Sequence, residues 1–155
     1  MKHKIQLALV GLVSAFVANS WACPTFNGTY KCKTQSQDKI LTLATKDIAG
    51  VTHYQLDGSE ILADGTYRKV RYEGGDYDMA ASCQADTLSL KVKFQGGAAG
   101  ESPACGALKW DSLYILSWTP KGTNDVTEHT SGATLCEGGF EVPNDVSDSF
   151  NCVKQ

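Results

Sequence analysis

His53 and His129 are the two histidines downstream of residue 22, and either imidazole could act as a general base near neutral pH. His129 follows Glu128, but neighbouring side chains of an extended strand point to opposite faces, so this carboxylate would not orient the ring. The sequence has no G-x-S-x-G or H-E-x-x-H motif. Both histidines are therefore predicted to be exposed strand residues, and no catalytic residue is predicted.

Three carboxylates, those of Glu73, Asp76 and Asp78, flank the pair Gly74-Gly75. Calcium prefers several hard oxygen ligands on a flexible loop, but the spacing of known calcium loops is absent here. We interpret these carboxylates as the solvated tip of a hairpin. The sequence predicts no metal site and no cofactor.

Trp110, Tyr114 and Trp118 have the same parity, so on one continuous strand from Leu108 to Trp118 they would share a face. Lining a cavity, these rings could hold an apolar or sugar-like ligand by burial and stacking. A turn at Asp111-Ser112 would remove the shared face, and a packed core is the alternative role for aromatic side chains in a small barrel. The three residues are the predicted ligand contacts.

The N-terminus has the pattern of a cleaved export signal. Lys2 and Lys4 precede the uncharged run Ile5–Val17, and Ser20 and Ala22 supply the small residues of a cleavage site. A run of about 13 residues is shorter than the roughly 20 that span a bilayer as a helix. The prediction is a removed signal peptide over residues 1–22 of bacterial type, with no transmembrane segment in the remaining chain.

One exported domain, residues 23–155, is predicted to be periplasmic or secreted. It holds all six cysteines, whose even number favours three disulfides in an oxidising compartment, although their pairing stays open among 15 possibilities: Cys23, Cys32, Cys83, Cys105, Cys136 and Cys152. The sequence has no C-x-x-C spacing, so it does not indicate a zinc site. A lipoprotein anchor through Cys23 is disfavoured, because Ser20 and Trp21 depart from the usual residues before a lipidated cysteine and an odd thiol would remain.

The charge balance excludes nucleic acid as a partner. Removal of Lys2 and Lys4 leaves 12 of the 14 basic residues against 17 acidic ones, a net charge of −5. These charges are scattered, so no basic patch opposes the repulsion of a phosphate backbone.

Short alternating stretches separated by Gly and Asp turns predict an all-β fold. The clearest is Thr87–Phe94, in which apolar and polar residues alternate. Turns at Asp57-Gly58, Asp64-Gly65 and Glu73–Asp76 connect neighbouring strands. The other predicted strands are Gly28–Thr34, Lys39–Thr45, Val51–Leu56, Glu60–Ala63, Thr66–Tyr72, Tyr77–Cys83, Leu113–Trp118, Asp125–Thr130, Thr134–Phe140 and Ser149–Val153.

Hairpins that follow one another without helices predict an antiparallel meander, which closes into a small barrel or, alternatively, folds as a β-sandwich. The first strand, Phe26–Cys32, and the last could pair to close a barrel. Gln95–Pro103, rich in glycine and without apolar anchors, is predicted to be a surface loop.

The element Gly28-Thr29-Tyr30 near the start of the first strand resembles the pattern of the lipocalin and calycin families. Those families place Gly-x-Trp on their first strand and bind small apolar molecules inside a barrel. Tyr30 stands here where they have Trp. The resemblance implies a barrel architecture.

The leading functional hypothesis is an exported, non-enzymatic β-barrel that binds a small apolar molecule or a protein partner. A small secreted hydrolase using His53 or His129 is one alternative. An inhibitor or surface-interaction module that presents the loop Gly96–Ser102 is the other.

Overall fold

The computed structural model describes residues 23–34, 37–72, 74–94, 104–106 and 109–155. The predicted signal peptide and the predicted loop Gln95–Pro103 lie outside these residues. Ten strands form one antiparallel sheet: β1 (Asn27–Lys33), β2 (Asp38–Ile48), β3 (Val51–Leu56), β4 (Ser59–Leu62), β5 (Arg68–Tyr72), β6 (Gly75–Gln84), β7 (Thr87–Phe94), β8 (Trp110–Lys121), β9 (Asp125–Cys136) and β10 (Glu141–Lys154). In the described ranges, no helix is long and apolar enough to cross a membrane.

The alternation of the sequence places one face of each strand inside the barrel. On β7, Leu88, Leu90 and Val92 are buried while the residues between them are half-buried. On β2, Leu41 and Leu43 are fully buried and Thr42 between them is exposed. The apolar side chains of these alternate positions therefore form a core inside the sheet.

The strands follow an up-and-down order around a nearly closed barrel, as the first of the two predicted architectures required. The order is β4-β3-β2-β1-β10-β9-β8-β7-β6-β5, so chain neighbours are sheet neighbours except for β4 and β5, and β1 pairs with β10. A seam remains between β4 and β5. Ser59 Oγ donates across it to the Arg71 carbonyl at 2.6 Å, and the amide of Gly65 donates to the Ala81 carbonyl at 2.7 Å.

Two strands predicted separately, Asp125–Thr130 and Thr134–Phe140, are one strand, β9, which ends at Cys136. The gap between the two predicted strands, after Thr130 and before Thr134, is absent because Gly132 lies opposite Tyr114 in an unbroken ladder with β8. Its missing side chain leaves the space that the Asn144 side chain occupies, at the irregularity between Pro143 and Ser147 of β10. Glycine here marks a close approach within the sheet rather than a turn.

All six cysteines form disulfides, which resolves the pairing that the sequence left open. Cys32 and Cys152 face each other on β1 and β10 and fasten the first strand to the last. Cys105 pairs with Cys136 at the end of β9. Cys23 pairs with Cys83 at the end of β6.

The segment 23–26 crosses one end of the barrel, which we call the closed end. β1 and β6 are five positions apart in either direction around the ring, so the segment between β1 and the Cys23–Cys83 bond spans the barrel. Phe26 is 1% exposed and packs against Tyr54, with 6.0 Å between the two ring centroids. The Tyr54 hydroxyl donates to the Pro24 carbonyl at 2.7 Å, which ties this segment to β3.

Burial, with a smaller contribution from the Asp47 carboxylate, raises the pKa of Tyr54 well above its usual value of 10.0. The phenol of the unfolded chain ionises near pH 10.0 while the folded one stays protonated, so unfolding releases a proton and stability falls as the pH rises beyond 10.0. We expect Tyr54→Phe to lower the free energy of unfolding by about 1 kcal/mol at neutral pH, because the hydrogen bond to Pro24 is lost. This variant should not show the further loss of stability above pH 10.0.

Urea unfolding at neutral pH and in the alkaline range measures both effects. Tyr114→Phe, at a residue that is 43% exposed, is the matched control and should retain the alkaline loss. A Tyr54→Phe protein with the full alkaline loss would contradict this account.

Candidate ligand-binding site

A cavity of about 190 Å³ lies inside the barrel. Its walls come from inward-facing positions of β2, β3, β5, β6, β7 and β8, because alternate side chains of these strands point towards the barrel axis. Half of the lining residues are aliphatic or thioether: Leu41, Leu56, Met79, Leu90, Val92 and Leu116. Such a surface favours an apolar ligand over water.

Aromatic rings surround the cavity at the end opposite residues 23–26, which we call the open end. β5 and β7 end here and β6 and β8 begin here, which brings Tyr72, Tyr77, Phe94 and Tyr114 together. Phe94 packs edge-on against Tyr77 and Tyr114, with ring centroids 5.4 Å apart in both pairs. Since Phe94 and Tyr114 are 38% and 43% exposed, the aromatic lining reaches solvent.

One wall of the cavity is charged. Lys39 lines it, and its Nζ lies 2.8 Å from Oε1 of Glu128. The other carboxylate oxygen of Glu128 accepts a 2.9 Å hydrogen bond from Nε1 of Trp118. Glu128 and Trp118 are each 1% exposed, whereas the Lys39 side chain is 33% exposed. The barrel therefore buries a carboxylate whose two oxygens have separate donors.

The sulfur atoms of Cys32 and Cys152 lie near the Glu128 carboxylate, and the three groups have the proximity of a metal site. Both sulfurs are bonded to each other, so neither is a thiolate that could bind a metal. The carboxylate is also engaged by Lys39 and Trp118. This cluster is part of the barrel wall.

Of the predicted ligand contacts, Tyr114 and Trp118 line the cavity and Trp110 does not. The strand is continuous through Asp111-Ser112, so the three rings share a parity as predicted. Trp110 lies opposite Cys136, beyond the cavity, and its buried Nε1 has no hydrogen-bond partner among the residues that the structure describes. The role of all three residues in binding stays a prediction.

The two histidines lie away from the cavity. His129 is exposed and Glu128 beside it points inward, the alternation predicted from the sequence. His53 is half-buried rather than exposed as predicted, with 15% of its side chain accessible, and its Nδ1 lies 2.5 Å from Oε1 of the exposed Glu60. Because Tyr54 points into the core, its neighbour His53 faces outward, and the His53–Glu60 pair belongs to the outer surface.

The acidic hairpin tip carries its own cations. Asp76 pairs with Arg71 and Asp78 with Lys69, both at 3.1 Å. Glu73 lies outside the described residues. These salt bridges connect β5 and β6 across the hairpin, so the two described carboxylates already have counter-ions.

Sequence reasoning missed Lys39 and Glu128 as site residues. The available signal was their parity: Lys39 shares a face with Leu41 and Leu43, and Glu128 with Val126. A charged residue at an apolar position of a strand is unusual unless it is paired. Their sequence positions are 89 residues apart, so the partner was not readable from either strand.

Together these features define a small, disulfide-bonded, up-and-down β-barrel with a largely apolar cavity, whose wall includes one lysine paired with a buried glutamate. No known family matches the chain, and no curated protein or solved structure matches it significantly. Its function is therefore inferred from the geometry of the barrel.

Proposed function

We propose that this barrel binds a small, largely apolar molecule in its interior cavity, without chemical conversion. The observation that carries the proposal is the apolar cavity of about 190 Å³ with aromatic rings at its solvent-facing end. Burial of an apolar ligand there removes its surface from water, at about 25 cal/mol per Å². The rings of Tyr77, Phe94 and Tyr114 offer faces and edges against which a planar group can pack.

The volume limits the size of the buried group. An apolar cavity of about 150 Å³ accepts a benzene molecule, whereas drug-sized ligands occupy roughly 300–1,000 Å³. The cavity of this barrel therefore fits one ring or a short branched chain. A longer ligand would leave its remainder between the aromatic rings at the open end.

Leu116→Trp is expected to weaken binding of a single-ring ligand such as isopropylbenzene at least tenfold, because the indole would occupy the cavity that the ligand needs. Isothermal titration calorimetry measures the affinity. Ser117→Trp is the matched control, since the neighbouring position faces outward and should leave binding unchanged. Equal affinities of both variants and the parent protein would place the ligand elsewhere and refute cavity binding.

We also propose that the chain is exported through cleavage after Ala22, so that Cys23 begins the mature protein. Three disulfides are compatible with an oxidising periplasmic or extracellular compartment. The Cys23 sulfur is bonded to Cys83, so it cannot also carry the thioether of a lipid anchor. Intact mass measurement of protein purified from its own host tests this: a mass beginning at Cys23 with three disulfides is expected, and an intact leader or a lipid adduct would refute it.

The alternative functions receive less support. A hydrolase would need a histidine in a cleft beside a nucleophile, and His53 and His129 both lie on the outer surface. The loop Gly96–Ser102, on which an inhibitor or interaction module would depend, lies outside the described residues. The resemblance to lipocalins at Gly28-Thr29-Tyr30 is consistent with interior binding and stays part of the proposal.

A further inference from the structure

The charged pair in the cavity wall calls for an explanation other than stability. A buried ion pair loses much of its Coulomb energy to desolvation, and apolar residues of similar volume often stabilise a fold as well or better. Lys39 and Glu128 replace such residues within a core that is otherwise mostly apolar. A polar group in an otherwise apolar cavity wall can fix the orientation of a ligand, and Lys39 is in a position to do so.

The hydrogen bonds within the pair leave donors on Lys39. Glu128 uses one oxygen for Lys39 and the other for Trp118, and Glu128 does not line the cavity. Lys39 does line it, and an ammonium group has three donors, of which the contact with Glu128 uses one. Glu128 thus holds the ammonium of a cavity-lining residue, and the pair itself uses only one of the three N–H groups.

We propose that Lys39 donates a hydrogen bond to a neutral oxygen acceptor, such as a ketone or ester carbonyl, on the apolar ligand. This inference rests on the proposed cavity binding and names the ligand class for the same site. A carboxylate ligand is disfavoured, because Glu128 already balances the charge of Lys39 and a second anion would add net negative charge in a low-dielectric interior. Purely apolar ligands would forgo the hydrogen bond.

Three ligands of nearly equal shape separate these possibilities: acetophenone, isopropylbenzene and benzoate. Each joins a phenyl ring to a planar or branched group of similar size, with a neutral carbonyl, no acceptor and a charged carboxylate respectively. Calorimetric titration gives the three dissociation constants. For the parent protein we expect acetophenone to bind more tightly than benzoate.

To assign the preference to Lys39, we compare the ratio of acetophenone affinity to isopropylbenzene affinity in the parent protein with the same ratio in each variant. This comparison cancels the difference in hydrophobicity between the two ligands. In Lys39→Met/Glu128→Gln the ratio is expected to fall about tenfold, since a hydrogen bond from a charged donor is lost. The amide oxygen of the new glutamine can still accept from Trp118. Lys91→Met/Glu141→Gln removes a similar pair on the outer surface and should leave the ratio unchanged.

A single substitution, Glu128→Gln, supplies a second readout, because it leaves Lys39 without its counter-ion. Benzoate affinity is then expected to rise about tenfold relative to acetophenone. If isopropylbenzene binds the parent protein and neither variant changes the ratios, the role of Lys39 is refuted while cavity binding stands. If none of the three ligands binds, cavity binding of this ligand class is itself refuted.

Discussion

Joint replacement of Cys32 and Cys152 with alanine is expected to lower the free energy of unfolding by about 4 to 5 kcal/mol, the largest effect of the three disulfides. The two residues are 120 apart in sequence, so their bond closes the longest loop and removes the most entropy from the unfolded chain. Both are also fully buried, and alanine would leave empty the space of two sulfur atoms. Urea unfolding of the purified variant measures the loss.

The matched control is Cys105→Ala/Cys136→Ala, which opens a bond between residues only 31 apart. Its cost is expected to be roughly 1 kcal/mol smaller on loop-closure grounds. The prediction fails if this control destabilises the protein as much as loss of the Cys32–Cys152 bond.

The position of the Cys32–Cys152 bond also matters for the cavity. In the described sheet, β1 and β10 are the hydrogen-bonded neighbours that no hairpin joins, and their register includes the two cysteines. At the boundary between β4 and β5, where the sheet has no ladder, contacts such as Ser59 to Arg71 bridge the two strands. The disulfide therefore fastens one of the two places where the ring could open, and it does so beside Glu128.

Local pattern predicted much of the fold. β3 and β7 have the predicted bounds, Val51–Leu56 and Thr87–Phe94, because alternation and β-branched or aromatic residues act within a single strand. Asp57-Gly58 forms the predicted tight turn, with positive φ at both residues. Consecutive hairpins then leave few topologies, of which the barrel is the one observed.

Long-range pairing set the limit of prediction. The cysteine partners lie 31 to 120 residues apart, and nothing in a local pattern selects among them. The sequence predicts two strands where β9 is one, and Gly132, which lies between them, accommodates Asn144 of a different strand. In both cases the deciding contact comes from a distant part of the chain.

Parity predicted which side chains of β8 share a face, but not how far along the barrel axis each of them lies. Trp110, Tyr114 and Trp118 share one face, yet that strand is 12 residues long and extends past the cavity. Tyr114 therefore lies at the open end, Trp118 lies in the wall and Trp110 lies beyond. The depth of a side chain inside a barrel depends on how neighbouring strands are staggered. The sequence of a single strand does not specify that stagger.

Lys39→Met is expected to lower the free energy of unfolding by about 3 to 5 kcal/mol, because it leaves the Glu128 carboxylate buried without a counter-ion. Among the described residues, Trp118 Nε1 would still donate to Glu128 in the variant. A neutral donor of this kind compensates a buried charge poorly. The methionine keeps most of the apolar stem of lysine, so the loss reports on charge rather than on packing. Urea unfolding measures it, with Lys91→Met as the surface control at a cost of about 1 kcal/mol or less.

A double-mutant cycle separates the cost of an orphaned charge from the worth of the pair. In Lys39→Met/Glu128→Gln no charge is left behind, so most of the stability lost in Lys39→Met should return. If the double variant is instead as unstable as the single one, the pair itself stabilises the barrel, and structural stability would explain its presence in the cavity wall. If the double variant recovers stability yet loses the preference for acetophenone, the pair is retained for its contact with the ligand.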